Sequence, residues 1–259
     1  MLATYTIRQI QTGWQFLDKA EYGTFREGYG TIIKHPVFCW LIEGHGRRIL
    51  VDTGMSDTEH SVRHHHDGLQ EPGQAIHEQL ARLGVSCETI DIILFTHLHW
   101  DHCHNLEKFP RARLFVSERE YRFAMDPIGM YWNSYESPQS GLNPAFRSRN
   151  FNLVNGEEEI LEGIRMIPTP GHSPGHMAVS VYTTVGEYFL VRDMALLGES
   201  FSPDKKRGWP ITMPGRFYNC VELWNSIVDV LHRADHILMT HDPEQIGHMS
   251  PTLGEDMYP

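Results

Sequence analysis

The stretch Thr96-His97-Leu98-His99-Trp100-Asp101-His102 packs three imidazoles and a carboxylate into seven residues, directly after the apolar run Ile92-Ile93-Leu94-Phe95. Neutral imidazole nitrogen and carboxylate oxygen are the donors that a hydrolytic zinc ion takes. Side chains alternate along an extended strand, so His97 and His99 point the same way and can share one ion. Asp101 and His102 follow where the strand must end, and a turning backbone can aim both at a second ion a short way off. An ordered H-x-H-x-D-H after a buried strand reads as a two-metal site rather than as solvated histidines at a strand end.

Two ions need more donors than this motif holds. Thr169-Pro170-Gly171-His172-Ser173-Pro174-Gly175-His176 places His172 in a rigid Pro/Gly turn after a strand predicted at 164–167, as a third ligand for the first ion. Asp193 ends an apolar strand, and its two oxygens could bridge both ions. His241, after His236-Ile237-Leu238-Met239-Thr240, would complete the second. Taken singly, a turn histidine, a capping aspartate and a surface histidine are equally good readings. Their joint position at the C-terminal ends of apolar strands favours ligation. The predicted metal ligands are therefore His97, His99, Asp101, His102, His172, Asp193 and His241, holding two Zn²⁺ per chain or other divalent transition metals. Two such ions about 3.5 Å apart activate water at neutral pH and polarise a carbonyl. Asp101, close to the attacking oxygen, is the predicted catalytic proton carrier. Asp52 and Thr96 are candidates to orient the imidazoles, with an Asx turn at Asp52-Thr53-Gly54 as the rival reading. His104, His176 and the cluster His60, His64, His65 and His66 fall outside the pattern and read as structural or solvated.

The rest of the chain bounds this chemistry. At 259 residues it is near the upper limit for one domain. A hydrophobic content of 41% and no apolar run of about 18 residues point to a protein without a membrane span. The opening Met1 to Arg8 has no basic cap before an apolar core, so no signal peptide is expected. Cys39, Cys87, Cys103 and Cys220 lack C-x-x-C spacing and read as reduced thiols of a cytoplasmic protein. A formal charge of −11 disfavours nucleic acid.

Strands are expected at Val37–Leu41 and Arg48–Asp52, joined by a hairpin through Glu43-Gly44-His45-Gly46, and short ones among residues 1–30. Residues 56–74 read as a charged, His-rich loop. A helix follows on Ile76, Leu80 and Leu83 with Gly84 as its stop. Ser117 and Glu120 form a capping box, and a helix near 219–233 presents Val221, Trp224, Ile227, Val228 and Leu231. Residues 125–150, irregular and aromatic, suit a lid or pocket wall, surface packing or a subunit contact. Ile49-Leu50-Val51-Asp52 and Phe189-Leu190-Val191-Arg192-Asp193 both run an apolar strand into an aspartate, which suggests two similar β-rich halves.

Asp52-Thr53-Gly54, the motif at 97–102, Gly171-His172, Asp193 and His241, in this order, resemble the metallo-β-lactamase superfamily over about residues 35–245. The resemblance implies an α+β fold, a four-layer αββα sandwich, with two metals in a groove at the edge of the sheets. Pro36 to Ile42, Ile49 to Met55, Pro168 to His176 and His241-Asp242-Pro243-Glu244-Gln245 look most like the N-acyl homoserine lactone hydrolases, the quorum-quenching lactonases. That likeness implies a dinuclear hydrolase opening a small lactone, with a small-molecule lactone or ester as partner and a homodimer left open. Those lactonases carry a Tyr three residues after the bridging Asp, where this chain has Leu196; Tyr131, Tyr135 or Tyr218 are candidates to supply a phenol instead. Glyoxalase II-like thioester hydrolysis, or a lactonase for another ring such as pyridoxolactone, are the alternatives on the same scaffold.

Overall fold

The computed structural model describes residues 3–246; Met1 and Leu2, part of the opening read for a signal peptide, lie outside them. The first sheet is built from β1 (Thr6–Asp18), β2 (Ile32–Gly44), β3 (Arg47–Val51), β4 (Gly68–Leu69), β5 (Ile92–Leu94), β6 (Arg113–Ser117) and β7 (Phe151–Val154), in the order β4-β1-β2-β3-β5-β6-β7. The half from β4 to β3 is antiparallel, and β3, β5, β6 and β7 run parallel. The second sheet holds β8 (Glu158–Leu161), β9 (Ile164–Pro168), β10 (Met177–Thr183), β11 (Gly186–Leu190) and β12 (His236–Leu238), ordered β12-β11-β10-β9-β8.

Alternation of side chains turns these sheets into layers. Ile49 and Val51 of β3 point between the sheets, where they join Trp40, Leu94, Met166, Val179 and Leu190; Leu50 points outward. On that outer side Leu50 meets Ile76 and Leu80 of the helix Ile76–Arg82, together with Leu98, Leu106 and Phe146. On the far side of the second sheet, Phe189 and Val191 pack against Leu223, Ile227 and Val230 of the helix Cys220–Arg233. The result is the four-layer αββα sandwich that the resemblance implies. Burying apolar side chains on both faces of both sheets is what makes the central strands read as continuous hydrophobic runs.

Several local expectations are corrected. The expected short strands before residue 30 are one long β1, whose register slips between Gln11 and Gly13. Before the slip Ile10 and Thr12 are buried; after it Gln15 and Leu17 are, while Trp14 and Phe16 are half-buried. Residues 56–74 are not simply a loop. Asp57 accepts from His60 N–H at 2.8 Å and caps α1 (Thr58–His64), and β4 follows. With α1 placed, the later helices are α2 (Ile76–Arg82), α3 (Trp100–Cys103), α4 (Glu118–Met125) and α5 (Cys220–Arg233). Leu83 lies at the C-cap of α2. Only half of the capping box forms: Ser117 caps α4 by accepting from Glu120 N–H, but the Glu120 carboxylate turns away. On α5 the buried stripe is Leu223, Ser226, Ile227 and Val230; Val221 is 64% exposed, because the Asn219 cap and the contact of Gly171 with Leu223 set the rotation of the helix.

Candidate metal centre

The apolar strand β5 delivers Thr96 to His99 into the edge between the sheets, and His99 opens α3 in an extended conformation. His97 Nε2 and His172 Nε2 each lie 3.1 Å from His99 Nδ1. Asp101 and His102 belong to the first turn of α3 rather than to a bend. There His102 Nε2 lies 3.4 Å from Asp101 Oδ2 and 3.1 Å from Asp193 Oδ1, and His241 Nε2 lies 3.5 and 3.2 Å from the same two oxygens. Asp193 occupies a 3₁₀ turn just past β11, and His241 follows β12 by three residues. Its second oxygen, Oδ2, is 3.5 Å from His172 Nε2 and 4.0 Å from His97 Nε2. All seven residues singled out in the sequence thus meet, as His97/His99/His172 and Asp101/His102/Asp193/His241, with Asp193 facing both groups.

Donors placed tetrahedrally at the usual metal–ligand lengths of about 2.0–2.1 Å lie roughly 3.3 Å apart, which is the spacing seen here. Among the described residues, Nε2 of His102 and Oδ1 of Asp193 are buried and, though 3.1 Å apart, make no well-formed hydrogen bond. His99 Nδ1 faces two imidazole Nε2 atoms with a single lone pair, so only one of the two contacts can be a well-formed N–H···N bond. The set therefore fits two divalent transition-metal ions. Hydrogen bonds on the opposite ring nitrogens fix the orientation: His102 Nδ1 donates to Asp52 Oδ2 at 2.8 Å, and His241 Nδ1 donates to the Pro36 carbonyl at 2.8 Å. Thr96 Oγ1 lies 3.2 Å from His97 Nδ1.

Electrostatics separate the two groups. Burial holds His97 and His99 well below the ordinary histidine range and His172 down to about 3, so all three are neutral donors. Burial also disfavours charge on His102 and His241, but Asp193 and Asp101 outweigh it, raising His102 well above the ordinary value and His241 to about 9. Burial raises Asp101 and Asp193, yet the neighbouring imidazoles keep both well below the carboxylate norm. The second group is thus a strongly cation-seeking pocket.

Beneath it, Asp52 accepts from Thr96 N–H and Thr96 Oγ1 at 2.8 Å each, from His102 and from Arg192 Nε at 2.7 Å. Glu120 is a further organiser. Its buried carboxylate accepts from Leu98 N–H at 3.1 Å, Ser173 Oγ at 2.7 Å, Gly175 N–H at 3.1 Å and Tyr135 OH at 2.8 Å, tying the motif to the His172 turn. Sequence reasoning saw only its helix-capping role.

The cavity over the donors is lined by Gln15, Leu17, Tyr22, His66, Trp100, Ser134, Leu196 and Arg216 besides ligand residues. Gln15 Nε2 donates to Asp101 Oδ2 at 2.8 Å. Arg216 lies over the Tyr22 ring, 5.2 Å from its centroid. Of the phenols considered from sequence, Tyr135 is committed to Glu120, and neither Tyr131 nor Tyr218 lines the cavity; Tyr22 does. Tyr22, Arg216 and Gln15 were not anticipated. His176 is buried against Thr169 Oγ1 at 2.9 Å, a structural role.

An αββα sandwich with paired donor groups at its sheet edge defines a class of metal-dependent hydrolases. The family model for the metallo-β-lactamase superfamily matches residues 32–238, and the chain belongs to that superfamily. An N-acyl homoserine lactonase of Bacillus thuringiensis is 27% identical over 185 residues, 68% of this chain and 70% of that protein. Among solved structures, a quorum-quenching N-acyl homoserine lactone lactonase superimposes with a TM-score of 0.78 at 23% identity, covering 96% of this chain and 97% of the other. An N-acyl homoserine lactone hydrolase with the product N-hexanoyl-L-homoserine at its catalytic metal centre matches equally well, at 0.78 and 23% over 96% and 98%. Both structures share the fold.

Proposed function

We propose that this protein is a dinuclear metal-dependent lactonase, opening a small lactone of the N-acyl homoserine type. The observation that carries the reading is the position of Asp193, one oxygen turned to each donor group; the lactonase relatives support the substrate class. In this reading His97, His99 and His172 would hold one ion and Asp101, His102 and His241 the other, with Asp193 facing both groups. Zinc suits the nitrogen-rich set. Bound there, the ion pair supplies an acidified attacking water and Lewis-acid polarisation of the ester carbonyl.

The chain's own groups do the rest. Gln15 holds Asp101 Oδ2, leaving the carboxylate placed to carry a proton to the leaving alkoxide. Leu17, Trp100 and Leu196 give the cavity apolar walls. Tyr22 and Arg216 are among its cavity-facing donors that are not ligands, and they position the lactone ester in place of the Tyr that stands at the Leu196 position in the resemblance. Ser134 puts residues 125–150 in the cavity wall, the role we assign to that segment. All seven donors come from one chain, so a homodimer is not needed. Among the described residues no helix is long and apolar enough to cross a membrane, and the four cysteines are free, which supports the cytoplasm as its location.

The test is a pH-stat assay with a panel of lactones beside thiol release from acyl-glutathione and acyl-CoA esters. Proton release on ring opening is expected. Thioester cleavage without lactone turnover would move the assignment to a glyoxalase II-like hydrolase.

A further inference from the structure

A second histidine cluster lies outside the seven donors. Glu136 is 4% exposed, and its carboxylate is met by imidazoles rather than by Lys or Arg. His60 Nε2 contacts Oε1, His65 Nε2 is 3.1 Å from the same oxygen, and His104 Nδ1 is 3.7 Å from Oε2. The rings of His60 and His104 are 4.6 Å apart. Ligand atoms of His60, His104 and Glu136 all lie within 4.8 Å of one another, as the atoms of each cavity group do. A carboxylate this buried needs a positive partner.

We propose that His60, His104 and Glu136 form a third cation site, which takes a single divalent transition-metal ion of the zinc class. Two imidazoles and a carboxylate favour zinc, cobalt or nickel over magnesium or calcium, which prefer oxygen-only shells. The side chains of His60 and His104 are 23% and 31% exposed, so the ion has an entry path and water can complete a four-coordinate shell. The His65 side chain is buried, stacked on Trp100 with ring centroids 4.1 Å apart, and it orients Glu136 through Nε2.

The ion would join three segments: α1, the 3₁₀ turn His104–Lys108 that continues α3, and the loop carrying Glu136. Ser134 lines the main cavity, and its carbonyl accepts from Trp100 N–H at 2.9 Å. The third site would therefore tie α1 and the turn at His104 to the loop that supplies Ser134 to the cavity wall, without contributing to the cavity donors. It stands independently of the lactonase reading: a protein that takes a third ion yet opens no lactone would refute only that reading.

The test titrates Zn²⁺ calorimetrically into protein already saturated with tightly held metal and desalted, with elemental analysis before and after. Wild type should take one further equivalent. His60→Ala and, separately, Glu136→Gln should weaken that equivalent by more than the roughly 10- to 100-fold that loss of an outer partner costs, while the desalted metal content stays at the wild-type level. No further equivalent in wild type, or one that survives both substitutions, would overturn the proposal. Should a variant fail to fold, zinc-edge anomalous diffraction from Zn²⁺-soaked wild-type crystals decides: a peak bonded to His60, His104 and Glu136 supports the site, and no peak there removes it.

Discussion

Arg192 Nε donates to Asp52 Oδ2 across 2.7 Å, joining two residues that each follow a strand of a different sheet and each hold a left-handed backbone, φ +51° and +61°. Both side chains are fully buried. Burial alone would raise the Asp52 carboxyl, but Arg192, His102 and the Thr96 donors hold it below its ordinary value. Arg192 also donates through Nη1 to the Phe38 carbonyl. The pair fastens the sheets together directly beneath His102.

Arg192→Met should therefore destabilise strongly, because it strands a buried carboxylate. The expected loss is about 3–5 kcal/mol, read by denaturant unfolding of metal-free protein. Asp52→Asn combined with Arg192→Met should recover part of that loss. A single variant as stable as wild type would show that the ion pair is not needed to hold the sheets.

Metal loading should depend on pH differently at the two groups. His241, raised to about 9 without metal, must shed a proton to ligate near neutrality, as must His102. His172, lowered to about 3, has none to shed above that pH. Affinity of the Asp101/His102/Asp193/His241 group should rise with pH through the neutral range, while that of the His97/His99/His172 group stays flat there. Calorimetry in buffers of different ionisation enthalpy should show proton release for one equivalent and little for the other. Equal release from both would contradict the assignment.

Glu120→Ala tests the organiser. It removes the acceptor of four buried donors, each costing about 1–3 kcal/mol when left unpaired, and frees the His172 turn from Leu98. A fall of about 10- to 100-fold in metal affinity is expected alongside lower stability. Loss of stability with unaltered metal binding would confine Glu120 to a packing role.

Gly171 permits the turn that carries His172. Its φ is +136°, and a Cβ there would lie 2.3 Å from the Leu223 backbone, while its carbonyl accepts from Tyr218 and Asn219 N–H at 2.7 and 3.0 Å. Gly171→Ala should cost about 1–3 kcal/mol by overpacking and weaken the ion held by His97, His99 and His172. Melting curves with and without Zn²⁺ check both effects; a variant that melts and gains stability with metal as wild type does would show that the turn tolerates a side chain.

The fold was legible through the resemblance, and the convergence of the seven histidines and aspartates because their signals are local: continuous apolar strands, each followed shortly by a histidine or aspartate. Asp193 needed only its strand to be recognised. What stayed hidden depends on closure of the chain over long distances. Gln15 turns inward because β1 slips register at Gly13, which no alternation rule anticipates. Tyr22 and Arg216 come from segments without regular periodicity and meet only across the cavity. Residues 56–74 carry too little apolar patterning to show α1, whose helix is set by the Asp57 cap and by packing, so the convergence of His60 with His104 and Glu136 was equally out of reach.

Tyr22 and Arg216 give the sharpest test of how substrate is held. Neither is placed to ligate an ion, yet both face the cavity, and Leu196 leaves it without the phenol that the lactonase resemblance implies at that position. If Tyr22 donates to the ester as charge develops, Tyr22→Phe should lower kcat/KM by on the order of 10²-fold, mostly in kcat, with unchanged metal content. Arg216 carries full charge and also donates to Ser134 Oγ at 3.0 Å. Arg216→Met should therefore raise KM as well as lower kcat, and Arg216→Lys should restore only part of the loss because the planar fork is gone. Steady-state kinetics on a lactone the wild type opens, with metal analysis of each variant, separate these outcomes. Wild-type kinetics in Tyr22→Phe would show that the ester is oriented without the phenol, leaving Arg216 as the cavity's charged donor.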